Sequence, residues 1–403
     1  MSLTRYPACS ILRGQGGTMR DYDYIIAGGG MAGLSLAYHL ALSPLQDSRI
    51  LILDRERKTT NDRTWCYWTE KPHIFDTIAY RSWEHLWFIG EGYEERIPLA
   101  PFRYQMVRGV DYYKAVESTL DRFPNIERHY GEITSLQDTR EGGLVVCDGR
   151  EYLGRYVFDG RLNPREFTVD EQHYHFLKQH FVGWEIETDH DVFDAEAATL
   201  FDFRTPQNNE MRFMYILPFS SRRAIVEFTL FSYHLLERSE YEQAIRDYLT
   251  NILQIDTWRI LDSEDGIIPM TDQPFQRRVG KHILRIGTVG GRVKASTGFA
   301  FFRTHQDSAA IISSLVQHQH PFALPDPPAR YRLFDSMLLQ ILYRRGDLAE
   351  PVFTRLFARN PIQRLFRFLD ERGNVWENLQ LMATTRWRWF LSAWWRIVVR
   401  RKI

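Results

Sequence analysis

The chain has 403 residues, 44% of them hydrophobic and 25% charged, a composition that excludes disorder over most of its length and leaves room for two or three domains at roughly 150 residues each. Its 51 lysines and arginines balance 51 aspartates and glutamates, so no global positive field gathers nucleic acid and no nucleic-acid partner is expected. Three widely spaced cysteines, Cys9, Cys66 and Cys147, offer neither a disulfide framework nor a metal-ligand spacing, which fits a reducing, cytoplasmic setting without a metal centre.

Residues 1–18 carry Arg5 and Arg13 but no long apolar stretch, and read as a disordered extension rather than a signal peptide. Tyr22 to Ala27 is an apolar run with two isoleucines and predicts a buried parallel strand. Gly28-Gly29-Gly30-Met31-Ala32-Gly33 follows at once, with the GxGxxG spacing at Gly28, Gly30 and Gly33. Leu34 to Ala41 has helical composition, and Arg49 to Asp54 is a second apolar strand ending in a carboxylate. Each part has a chemical reason. Gly28 allows the tight turn, Gly30 lets a pyrophosphate approach the backbone, and Gly33 lets the helix pack on the strand. The helix N-terminus then presents free N–H groups to the phosphates. Asp54, 24 residues beyond Gly30, suits ribose hydroxyls. The set predicts a dinucleotide site, and its place at the start of the domain favours FAD by fold analogy.

Asn61-Asp62-Arg63-Thr64-Trp65 reads as a loop reaching over the cofactor, with Arg63 and Thr64 as contacts. Arg108, a further candidate contact, opens a helix from Gly109 to Phe123 whose apolar residues share one face. Glu127 to Cys147 predicts short strands, and Tyr156 to Asp159 another buried strand. Residues 19–160, with 280–325, are expected to form the cofactor-binding unit.

From Phe181 to Phe231 the pattern changes to period two, and residues 161–279 are expected to form an inserted antiparallel-sheet substrate domain. Its strands include Leu200 to Arg204, Met211 to Leu217 and Arg223 to Phe231. In the last, Ala224, Val226, Phe228 and Leu230 share one face, and Ile225, Glu227 and Thr229 the other. Glu227 is either a rim carboxylate on a half-exposed face or an acid in an apolar site. Asp202 is either a second functional carboxylate or a structural partner of Arg204 or Arg212.

His282 to Gly287 predicts another parallel-type strand. A second glycine-rich turn follows, with Gly290, Gly291, Thr297 and Gly298 as candidate cofactor contacts, and then a helix from Arg303 to Val316. Residues 326–403 predict a helical region. Arg386 to Ile403 holds six Lys/Arg, four Trp and no Asp/Glu, a pattern suited to a lipid surface. Trp389 to Val399 is too short to span a bilayer, so peripheral membrane association is expected. No residue pattern specifies an oligomeric state. The aromatic content, 14%, suits either a heavy core or a pocket for a large apolar ligand.

An ordered set of stretches resembles the lycopene cyclase family, in particular the flavin-dependent lycopene β-cyclases of bacteria. They are Asp21 to Ile26 with the following GGGMAG, Asn61 to Trp65, Gln179 to Trp184, Leu200 to Arg204, Arg212 to Pro218, Val226 to Thr229 and Ile267 to Met270. The family's second glycine-rich segment carries Pro before its Ser/Thr-Thr-Gly, where this chain has Ala295. The resemblance implies lycopene or a related linear carotene as substrate. It also implies a reduced FAD, needed although the substrate is not oxidised overall, with NADPH or NADH as reductant. It places the family's essential acid/base glutamate on Glu227.

Such a reaction is an isomerisation. An acid protonates the terminal alkene, the neighbouring double bond attacks the resulting cation, and a proton leaves to give the β-ring. Alkenes are poor bases and a free Glu has a pKa of ~4.3, so the developing cation needs fixed negative charge in a dry site. Those surroundings would keep Glu227 protonated. A flavin monooxygenase or a reductase of polyprenyl lipids shares this architecture, and Asp159-Gly160-Arg161 faintly resembles the Asp-Gly motif of the hydroxylases. A prenyl carrier that has lost its flavin is a non-enzymatic alternative, against which the intact GxGxxG and Asp54 argue.

Overall fold

Tyr22–Ala27 lies inside an eight-stranded sheet, as the apolar run Tyr24 to Ala27 requires: Ile25, Ile26 and Ala27 are fully buried. It pairs in parallel with Ile50–Asp54 on one side and Arg150–Asp159 on the other, and these pair in parallel with Ile126–Tyr130 and Ile283–Arg285. Helices Met31–Ala41, Gly109–Leu120 and Phe301–His318 share a core on one face. A hairpin, Ile133–Asp138 with Gly143–Cys147, brings Val145 and Cys147 into the core of the other. This is the expected Rossmann-like α/β unit. The computed structural model describes residues 21–163 and 167–401, and the extension expected at residues 1–18 lies outside the described residues.

The second sheet has seven strands in the order Trp258–Thr271, Phe176–Thr188, Arg223–Ser232, Met211–Pro218, Ala197–Asp202, His85–Gly90, Tyr93–Pro98. Its neighbours are antiparallel except Ala197–Asp202 with His85–Gly90, which run in parallel. The last two strands come from the stretch assigned by sequence to the cofactor-binding unit. Every residue of Ala197–Asp202 is buried, so both of its edges need hydrogen-bonding partners. The second partner comes from more than a hundred residues upstream. Of the two readings of Glu227, the rim carboxylate on a half-exposed face does not hold: all but the first residue of Arg223–Ser232 is buried. Helix Arg238–Asp247 and the turn after it cover Val226, Phe228 and Leu230. On the opposite side Ile225 and Phe231 join a core with Phe353, Leu365 and Phe366 of the C-terminal helices.

Those helices are Ala329–Arg344, Ala349–Arg359, Ile362–Leu369, Val375–Thr384 and Trp387–Arg401. The last buries Phe390, Ala393 and Ile397 against Met337 and Ile341, an i, i+3, i+7 stripe. A second apolar face of the same helix, Trp387, Leu391, Trp394, Trp395 and Val399, is exposed, as are Val375, Trp376 and Leu379 of the preceding helix. Among the described residues no helix is long and apolar enough to cross a membrane.

Candidate functional site

A cavity of about 1300 Å³ runs between the two sheets, lined at one end by Gly28, Gly30 and Asp54 and elsewhere by Tyr215, Glu227 and Phe353. Its volume exceeds the ~300–1,000 Å³ of ordinary small-molecule sites, enough for a cofactor and a second large ligand.

The glycine end has the geometry of a phosphate cradle. Gly28 has a φ of 105°, open to glycine and strained for other residues. A Cβ on Gly33 would lie 1.9 Å from the Gly28 carbonyl oxygen, so only glycine lets this helix sit so close to its strand. Gly30, the N-cap of Met31–Ala41, faces open space. Asp54 Oδ2 accepts from the Gly29 N–H at 2.5 Å and Oδ1 from the Glu56 N–H at 3.2 Å, so the carboxylate clamps the turn while lining the cavity. Arg63 also lines it.

The second glycine-rich loop reaches the same cavity through Gly287, Thr297 and Gly298. Gly298 has a φ of 74°, and a Cβ there would lie 2.0 Å from Gln179 Oε1. Gln179 Oε1 and Thr297 Oγ1 are buried in this wall without hydrogen-bond partners among the described residues. Two orphaned polar atoms beside a glycine cradle fit a polar cofactor that would satisfy them. Gln179 escaped notice as a site residue because an amide in an alternating strand looks like any solvated position.

Three expected contacts lie outside the cavity wall. Arg108 pairs with Asp111 at 2.6 Å, and its guanidinium stands 3.9 Å from the Tyr80 ring centroid. Its backbone is in register with Thr64, so it positions that residue. Gly290 ends a short 3-10 turn, and Gly291 follows in the left-handed conformation against Phe275. They shape the loop that Thr297 and Gly298 complete. Asp202 also lies outside the wall, fully buried: Arg204 pairs with it at 2.6 Å, and the Tyr248 hydroxyl donates to it.

Glu227 stands in the cavity wall, 7% exposed, and accepts from the Thr229 hydroxyl. Cross-strand register sets its neighbours. Tyr215 lies opposite on one side and Gly183 on the other, and Gly183 is in turn opposite Glu264. Both carboxylates line the cavity. Glu264 is only partly buried and accepts from Thr64 Oγ1 at 2.7 Å. Sequence reading missed it because Asp262-Ser263-Glu264-Asp265-Gly266 has the composition of a solvated turn.

Burial, and next the charge of Glu264, push the Glu227 carboxyl up to about 8. Burial also raises Glu264, while the Thr64 hydroxyl and the Arg63 charge oppose the rise. On the Tyr215 side of Glu227 the wall is neutral. The Tyr104 and Tyr215 hydroxyls are 2.6 Å apart and burial holds both far above the usual phenol range, while the Cys66 thiol is pushed up to about 12. The arrangement is a protonated acid with its back to apolar and aromatic surface, able to give a proton where water is scarce.

The family model described as lycopene cyclase protein matches residues 23–391. The chain is 24% identical over 317 residues to the chloroplastic lycopene beta cyclase of Arabidopsis thaliana, covering 73% of this chain and 60% of that protein. It is 24% identical over 264 residues to the lycopene beta-cyclase of Pantoea ananas, covering 62% and 63%. The chain thus spans about three fifths of the length of the curated relatives it matches. A geranylgeranyl bacteriochlorophyll reductase-like protein of Thermoplasma acidophilum superposes with a TM-score of 0.59 at 10% identity, over 93% of this chain and 99% of that one. A flavin-dependent brominase gives 0.57 at 15% identity, over 90% and 98%. A probable FAD-dependent monooxygenase of Pseudomonas aeruginosa gives 0.55 at 15%, over 90% and 99%. At these identities the structural matches establish the fold.

Proposed function

The chain belongs to the lycopene cyclase family, and from that premise we propose that it closes the linear ends of lycopene into β-ionone rings, an isomerisation with no net redox change. The observation that carries this reading is Glu227, a buried carboxyl held protonated in the wall of a cavity large enough for cofactor and substrate.

Glu227 donates its proton to the terminal alkene. Its raised proton affinity keeps it in the acid form at neutral pH, and Thr229 fixes its orientation. The neutral Tyr104–Tyr215 pair and the Phe213 and Phe231 rings exclude water that would capture a carbocation. Aromatic faces add cation–π attraction of roughly 0.5–2 kcal/mol each. FAD fits the cradle of Gly28, Gly30 and Gly33 and the Thr297–Gly298 loop; in its reduced form, with NADPH or NADH as reductant, it would supply negative charge to stabilise the cation. The exposed Trp-rich face of Trp387–Arg401, with Arg386, Arg388 and Arg396 nearby, suits an anionic membrane surface from which an insoluble carotene is drawn.

The test is anaerobic incubation of the purified protein with chemically reduced FAD and lycopene in liposomes, followed by chromatography of the pigment. Cyclic product without oxygen is the expected result. Unchanged lycopene with flavin demonstrably bound, or product only in oxygen, would move the reading to a monooxygenase or reductase of polyprenyl lipids.

A further inference from the structure

We infer that Glu264 is the base of the cyclisation, taking up the departing proton while Glu227, across Gly183, supplies the incoming one. This rests on the cyclase reading above and assigns the second half of the proton traffic.

The geometry comes from strand register. Glu227, Gly183 and Glu264 form one row across three neighbouring strands. With strands about 4.8 Å apart, the two glutamate α-carbons are about 10 Å apart and their side chains face one cavity. The middle position has no side chain. A Cβ on Gly183 would lie 3.3 Å from Glu227 Cβ and 3.4 Å from its Cγ, so a side chain there would press on Glu227. The proton enters at one carbon and leaves from another, so two carboxyl groups facing one cavity can divide the transfer between them.

The two environments divide the roles. Glu227 is almost wholly buried, with apolar cover behind its strand. Glu264 is only partly buried. Burial raises its carboxyl too, but the Thr64 hydroxyl and the Arg63 charge favour the ionised form and oppose that rise, whereas Glu227 has only its Thr229 hydrogen bond to do so. Neighbouring carboxyls that cannot both ionise sort themselves into an acid and a base.

The step balances. The Glu227 O–H bond breaks and a C–H bond forms at the terminal alkene, leaving a tertiary cation. The neighbouring double bond supplies the electron pair of the new ring C–C bond. A ring C–H bond then breaks, its electrons form the ring double bond, and its proton goes to Glu264. Return of that proton from Glu264 to Glu227 restores both groups.

The test compares Glu264→Gln with wild type for flavin binding, turnover and the ratio of ring products. The expected result is wild-type flavin binding, β-ring formation lower by about 10²-fold, and cation diverted to other ring isomers or to hydroxylated ends. Glu264→Asp, which keeps a carboxylate on a shorter arm, should give a ratio between the two. Wild-type rate and products in Glu264→Gln would overturn the assignment. So would weakened flavin binding with unchanged products per bound flavin. If Glu264→Gln does not fold, a wild-type product ratio in Glu264→Asp overturns it. A wild-type protein that makes no ring at all would sink the cyclase reading itself, a different result from a cyclase indifferent to Glu264.

Discussion

Lys294 donates to both carboxylate oxygens of Asp335, at 2.8 and 2.9 Å, with its ammonium inside the protein. Ser296 donates to the same carboxylate at 2.7 Å, and Glu371 accepts from Lys294 at 3.1 Å. The network fastens the loop leading to Thr297 and Gly298 onto the C-terminal helices. Removing one partner of a buried pair costs ~3–5 kcal/mol because the other charge is left uncompensated. Lys294→Ala should lose stability of that order in urea unfolding and hold flavin less tightly. Unchanged flavin affinity in a folded variant would detach the network from the cofactor loop.

Glu227 makes the rate pH-dependent in one direction. Its carboxyl titrates at about 8, so the acid form persists through neutrality and kcat should fall as pH rises past that value. Stability follows the same sign. Between its ordinary value of 4.5 and about 8 the folded state holds a proton that the unfolded state has released. That stabilisation is complete below the ordinary value and is lost as pH rises through about 8. Glu227→Gln, neutral at all pH, should lower activity by at least ~10²-fold. It should also gain Tm relative to wild type as pH rises from 5 to ~9. Calorimetry across that range, beside a pH–rate profile, checks both.

Gly298→Ala meets two obstacles: a φ of 74° and a Cβ 2.0 Å from Gln179 Oε1. The left-handed conformation alone costs roughly 1–2 kcal/mol, and the collision pushes Gln179 from the wall. Flavin titration should show weaker binding, with the secondary structure by circular dichroism unchanged.

Asp202→Asn removes a charge held by Arg204 and Tyr248 outside the cavity. Unfolding should become easier by about 1.5–3 kcal/mol, the range for a hydrogen bond to a charged group. Activity per bound flavin should stay at the wild-type level, and a loss there would return Asp202 to the chemistry.

Triple replacement of Trp387, Trp394 and Trp395 by Ala strips exposed apolar surface, leaving the core stripe of Phe390, Ala393 and Ile397 in place. Flotation with anionic liposomes should drop, while turnover on detergent-dispersed lycopene should hold. Equal flotation of the two proteins would rule out this face as the lipid contact.

The local parts of this protein were legible in its sequence. A strand buried on both faces must be apolar throughout, and a helix that crowds its strand must carry glycine. Tyr22 to Gly33, with Asp54, therefore announced the cofactor turn. Alternation likewise places Glu227 on the face opposite Val226 and Phe228. These signals depend on residues a few positions apart, where backbone geometry alone fixes which side chains share a face.

Tertiary structure decided everything that depends on register between distant segments. Glu264 becomes the companion of Glu227 only because both strands pair with Gly183. His85–Gly90 joins the second sheet only because the buried strand Ala197–Asp202 needs a partner on its far edge. Asp202 and Arg108 carry the right charges, but their ion pairs lie outside the cavity wall. A charge's role depends on whether its surroundings are wet, dry or already occupied by a partner, and that is settled when the sheets pack.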